Sequence, residues 1–151
     1  MSGKGAARPR ATAAARGLRE AVTWSFLPET DANHFAEGGG GLWVLDNPIS
    51  EDMKVMRPSL LPGLLAATER NIKRGAGSVR LFEIGRRYLE EAERPTLGVV
   101  LAGEKAARGW SAGKAKGFDA YDAKAEALAL LEAAGAPVGN LQVLGEPGAQ
   151  F

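Results

Sequence analysis

Met56-Arg57-Pro58-Ser59-Leu60-Leu61-Pro62-Gly63-Leu64-Leu65 reads as the start of a helix, and its neighbours on both sides fix what that helix packs against. Ser59 or an adjacent residue can cap, and Pro62 falls in a first turn, where a missing N–H costs little. Leu61, Leu64, Leu65, Thr68 and Ile72 then recur at helical spacing on one face, while Glu69, Arg70, Lys73 and Arg74 lie on another. Lys73 and Arg74 suit the negative end of the helix dipole, and Gly75 or Gly77 can take a left-handed cap. The helix is predicted from about Ser59 to about Arg74.

Upstream, Asn47-Pro48 in Asp46-Asn47-Pro48-Ile49-Ser50 marks a turn. The residue before proline leaves the helical region and proline offers no donor, so the apolar strand predicted over 42–45 ends near Asp46. Downstream, residues 79–88 are rich in β-branched and aromatic side chains, with Val79, Leu81 and Glu83 on one face and Arg80, Phe82 and Ile84 on the other. That pattern predicts a strand covered on both faces. A second strand over 96–101 follows after a connection too short for a parallel crossover, so the two form an antiparallel hairpin.

Further out, residues 20–27 alternate, with Val22, Trp24 and Phe26 on one face, and predict a half-buried strand. The run Gly38-Gly39-Gly40-Gly41 is a loop. Residues 119–134 place Tyr121, Leu128 and Leu131 at helical spacing behind an acidic first turn, with Gly135 and Pro137 as stops. Residues 141–144 form a candidate last strand, before the turn-like Gly145-Glu146-Pro147-Gly148. Residues 1–16 are expected to be a flexible segment with a short helix over 10–16, and 17–151 a single core domain that stops inside its fold. Such a cut predicts an exposed apolar patch or self-association.

Composition bounds the function. With 151 residues, 19 basic and 18 acidic side chains and a net charge of +1, no overall field favours nucleic acid or an anionic membrane. Cysteine is absent, which excludes disulfides and thiolate chemistry and fits a reducing compartment. No apolar run approaches the roughly 20 residues of a membrane span. These features together predict a soluble, unexported chain.

Taken together, Gly17-Leu18-Arg19-Glu20-Ala21-Val22-Thr23-Trp24-Ser25-Phe26, the Asn47-Pro48 block, the block from Met56, Asn71 and Leu81-Phe82-Glu83-Ile84-Gly85-Arg86 resemble the bacterial phenylalanyl-tRNA synthetase beta subunit. The resemblance extends more loosely through Trp110 and the helix over 119–134. It implies an α+β fold of class II synthetase type, an antiparallel sheet flanked by helices, C-terminally incomplete in this chain. It also implies a catalytic-like domain without an active site, packed against an alpha subunit within an αβ dimer of dimers in the cytoplasm. The implied parent complex attaches phenylalanine to tRNA with ATP and Mg. The signature positions, structural or interfacial in such a domain, are Asn47, Pro48, Arg57, Ser59, Leu60, Leu61, Pro62, Gly63, Leu64, Asn71, Phe82, Glu83 and Gly85.

Class II sites clamp the ATP α-phosphate with an arginine shortly after a Gly-x-x-Tyr segment, a bidentate task suited to guanidinium. Here Gly85-Arg86-Arg87-Tyr88 is followed by Leu89, which supplies no charge. No catalytic, cofactor or metal residue is therefore assigned. Arg86 and Arg87, with Arg80, are candidate contacts to tRNA phosphate, against ordinary ion pairs to Glu83, Glu90 or Glu91. The run Gly38 to Gly41 lacks the ending of a phosphate loop, and His34 sits in a polar loop without convergent partners. Trp24 and Trp43 are expected in the core or an interface. Alternative readings are a stand-alone ATP-dependent adenylate-forming enzyme of the same fold and a small RNA-binding module.

Overall fold

The computed structural model describes residues 3–36, 41–90, 92–106 and 116–141. In chain order the elements are α1 (Gly3–Ala15), β1 (Arg19–Glu20), β2 (Phe26–Leu27), α2 (Glu29–His34), β3 (Val55–Met56), α3 (Leu61–Lys73), β4 (Ser78–Leu89), β5 (Ala92–Ala106), β6 (Lys116–Gly117) and α4 (Ala120–Ala133), with short 3-10 turns at Glu51–Met53 and Val138–Asn140. β4 and β5 form the expected antiparallel hairpin, paired from Ser78↔Gly103 to Leu89↔Ala92. β1 adds to β4 in parallel and β6 to the far end of β5 antiparallel, giving the order β1-β4-β5-β6. β2 and β3 make a separate antiparallel pair.

The strand period of two sorts β4 onto two faces, as predicted, and each receives a different layer. Val79 and Leu81, with Val100 and Ala102 from β5, pack against Leu60, Leu64 and Ala67 of the α3 region. On the opposite face Phe82, Ile84, Leu97, Val99 and Leu101 pack against Ala13 of α1, Leu18 and Leu130 of α4. The hairpin is thus the middle layer of a three-layer sandwich. α4 begins with a capping box: the Asp119 side chain accepts from Asp122 N at 2.9 Å, and Asp119 N donates to Asp122 at 3.0 Å. α3 carries Pro62 in its first turn and is followed by Gly75 at φ 93°.

Several expectations shift. The helix placed over 10–16 begins at Gly3, with Ala6, Pro9 and Ala13 buried and α1 lying along α4. Burial of those three side chains supplies the packing that a short Ala- and Arg-rich segment lacks in isolation. The strand over 20–27 is split. Ala21 N donates to Phe82 O, but Thr23 N turns to the Glu83 carboxylate instead of a β4 carbonyl, and the ladder stops there. The inward face of this stretch is Ala21, Thr23 and Ser25, so Val22 and Trp24 point out, 89% and 72% exposed. Trp24 is therefore outside this chain's core.

The segment over 42–45 contributes only a bridge from Val44 to Val55, supported by Leu45 N to Lys54 O and Met56 N to Trp43 O. In α3 the buried stripe is Leu60, Leu64, Ala67 and Thr68, and Ile72 is exposed. At about 100° per residue, Leu61, Leu65 and Ile72 lie a quarter-turn round from it. α4 likewise buries Leu130, while Tyr121 faces solvent. Leu141 follows the Val138–Asn140 turn, and the rest of the strand predicted over 141–144 lies outside the described residues, as do Trp110 and residues 38–40 of the glycine run.

Candidate functional site

The polar centre of the fold is Arg57, 6% exposed. Its Nη1 donates to Glu83 Oε1 and to Thr23 Oγ1, each at 3.0 Å, and its Nε donates to Arg86 O at 2.9 Å. Glu83, 3% exposed, also accepts from Thr23 N at 3.0 Å and from the Thr23 hydroxyl at 2.8 Å. The Arg57 backbone joins the same segments, its N–H donating to Ser25 O and its carbonyl accepting from Tyr88 N, both at 2.8 Å. Burying two charges is offset only by close pairing and further hydrogen bonds, and here Glu83 accepts three while Arg57 donates through Nε and Nη1. Both head groups are turned toward structural partners.

Two signature glycines make room for this network. A Cβ at Gly85 would run into the Arg57 guanidinium, and one at Gly63 would come within 2.5 Å of Thr23 Oγ1. Beside it, Glu83 is paired across the hairpin with Gly98. A Cβ at Gly98 would lie 2.6 Å from Leu64 Cδ1 and 3.2 Å from Leu60 Cβ. Leu60 and Leu64 thus rest directly on the strand backbone, and α3 closes this face of the sheet.

The open concavity lies beyond that closed face, along the edge of β5. It is a cleft of about 710 Å³ between the start of α3, residues 94–99 of β5 and α4. Leu89 lines it, so the position after Gly85-Arg86-Arg87-Tyr88 brings a side chain to the cleft but no charge to hold phosphate. Arg86 and Arg87 separate onto opposite faces of β4. Arg86 is exposed and ion-paired with Glu93 at 3.0 Å, whereas Arg87 enters the cleft together with Arg94 and Lys124. Arg80, the third member of the expected ridge, donates to Lys105 O and lies 5.0 Å from the Phe118 ring centroid.

The fold therefore brings together Arg57, Leu60, Gly63, Leu64, Glu83 and Gly85. Phe82 is buried on the other face, Ser59 Oγ accepts from Leu61 N, and Leu61 and Pro62 lie half-buried in the first turn of α3. Asn47 and Pro48 stand apart in the loop before β3, and Asn71 is exposed, its amide donating to Ala67 O. His34 is exposed at the end of α2, and no group of His, Asp or Glu among the described residues could hold a metal. Two members of the site were not singled out from sequence: Thr23, whose small polar side chain alternates with Val22 and Trp24, and Gly98, a glycine inside an otherwise β-branched run. An interior strand glycine is itself a sign of close backbone approach. No helix among the described residues is long and apolar enough to cross a membrane.

Residues 3–146 match the family described as the phenylalanyl tRNA synthetase beta chain CLM domain. The chain belongs to that family. Relatives of the synthetase beta chain include the phenylalanine–tRNA ligase beta subunit of Novosphingobium aromaticivorans, 68% identical over 149 residues, covering 95% of this chain and 19% of the relative. The corresponding subunit of Zymomonas mobilis is 62% identical over 141 residues, covering 93% of this chain and 18% of the relative. The chain thus spans about a fifth of the length of the curated relatives it matches. Among solved structures, a pyrrolysyl tRNA synthetase from Desulfitobacterium hafniense superposes with a TM-score of 0.65 at 19% identity, over 88% of this chain and 45% of that one. The CLM domain thus shares its mixed α+β architecture with a tRNA synthetase.

Proposed function

We propose that this chain is a non-catalytic, class II-like domain of a phenylalanine–tRNA ligase beta subunit. In this reading it packs against the alpha subunit and helps assemble an αβ dimer of dimers that charges tRNA with phenylalanine in the cytoplasm. ATP and Mg act elsewhere in that complex. The observation that carries the non-catalytic reading is α3 seated on the sheet: Leu60 and Leu64 fill the space over Gly98, where even a methyl group would not fit. Leu89 at the clamp position and the buried pairing of Arg57 with Glu83 support it. The exposed Val22 and Trp24, on a segment pinned from behind by Thr23, give an apolar ledge for a protein partner.

Co-expression of this chain with the alpha subunit of the same ligase tests the assembly role, with recovery of a stable complex as the expected result. Failure of the chain, and of the whole beta subunit carrying Trp24→Asp, to discriminate in alpha-subunit binding would remove Trp24 from the interface. Phenylalanine-dependent ATP–pyrophosphate exchange by this chain alone would overturn the non-catalytic reading.

A further inference from the structure

The cleft beside β5 carries charge that the fold does not use. Arg87 and Arg94 are direct cross-strand partners, so their side chains leave the hairpin on one face from Cβ atoms about 5 Å apart. Like charges placed opposite one another destabilise a hairpin. Among the described residues neither forms an ion pair, although the adjacent Arg86 does so with Glu93. Lys124 of α4 lines the same cleft from across the β5 edge, and no Asp or Glu lines it among the described residues. The remaining wall is largely apolar, including Leu60, Leu97 and Leu131.

We propose that this cleft binds a small organic phosphate. Arg87 and Arg94 present two guanidinium forks to the phosphate oxygens, a geometry that arginine matches bidentately, and Lys124 adds a point charge. The organic body lies against Leu60, Leu97 and Leu131. A volume near 710 Å³ is that of a small-ligand pocket, for which about 300–1,000 Å³ is usual. The three cations, Arg87, Arg94 and Lys124, supply the positive charge that a phosphate group needs. The site performs binding without a chemical step. The phosphate can be that of a free metabolite or the terminal phosphate of an RNA strand.

The test is titration of the chain with phenyl phosphate, phenol, inorganic phosphate and a short single-stranded RNA with and without its 5′-phosphate. Phenyl phosphate is expected to bind saturably and more tightly than phenol or inorganic phosphate. Arg87→Gln and Arg94→Gln should each weaken it by about tenfold, the scale of one lost charge-assisted hydrogen bond. Both arginines lie on the cleft wall, so circular dichroism of the variants should match the parent chain. Arg86→Gln, on the opposite face, should leave binding unchanged. RNA binding that disappears with the 5′-phosphate assigns the RNA source, and phenyl phosphate binding without RNA binding assigns a free metabolite. Absence of saturable phenyl phosphate binding, or equal losses in Arg86→Gln and Arg87→Gln, would overturn the site.

Discussion

Glu83 Oε1 lies 3.0 Å from the backbone nitrogen of Thr23, so a side-chain carboxylate receives the hydrogen bond that a strand carbonyl would otherwise take. The same oxygen accepts from Arg57, and the three residues hold segments distant in sequence to one point. Removing one charge from such a buried pair leaves the other uncompensated, at a cost of about 3–5 kcal/mol. Arg57→Met and Glu83→Leu should each fall in that range in urea unfolding. The double replacement should cost clearly less than their sum, because no lone charge remains. Additive losses would show that the two side chains do not act as a pair.

Gly98→Ala places a Cβ against Leu64 and Leu60, and overpacking of this kind costs about 1–3 kcal/mol. Shortening the obstacle should recover part of it. Gly98→Ala combined with Leu64→Ala is expected to be more stable than the two single losses added together, as read from thermal midpoints.

Asp119→Ala removes the acceptor for Asp122 N and opens the capping box of α4, a loss of about 0.5–2 kcal/mol. Asp119→Asn, which keeps an acceptor oxygen, should retain most of the stability. Equal losses in the two variants would argue against the cap.

Lys105 Nζ lies 2.6 Å from Asp122 Oδ1. Its hydrogen bond is the main reason that the Asp122 carboxyl is held below its ordinary value of 3.8. The Lys105 ammonium is raised above 10.5, first by the hydrogen bond it donates to Asp122 and then by the charge of that carboxylate. A depressed carboxyl contributes stability above 3.8 that is lost as pH falls through the folded-state value, and a raised ammonium contributes below 10.5 and loses it as pH rises. Lys105 is exposed and Asp122 only half-buried, so the effect is small. Lys105→Met should flatten the acid limb of the stability profile relative to the parent chain, measured as the urea midpoint above and below 3.8.

The sequence carried the hairpin and both long helices because their signals are local: β-branched alternation, a short connection, proline in a first turn and glycine after the last. It left open the buried side of residues 20–27, since alternation says that two faces differ and not which one meets the sheet. Thr23 decided the matter through Glu83, a contact across sixty positions of sequence that no local pattern encodes. Phe82 and Glu83 were legible as opposite faces of one strand. Their roles as core side chain and ion-pair partner emerged only with Arg57 and α1 in place. The separation of Arg86 from Arg87 followed directly from the strand period, whereas the Arg87–Arg94 pairing required the register of the hairpin.

Gly98 gives the sheet a contact surface made of backbone, and α3 has taken it. A ligand seeking that face would have to displace an entire helix, with Leu60 and Leu64 exposed in the process. Trimming Leu64 makes room locally, but baring the whole face requires moving the helix. For this domain, variation in binding falls first to its rim and outer ledges, while the ground between helix and hairpin belongs to the seating of α3.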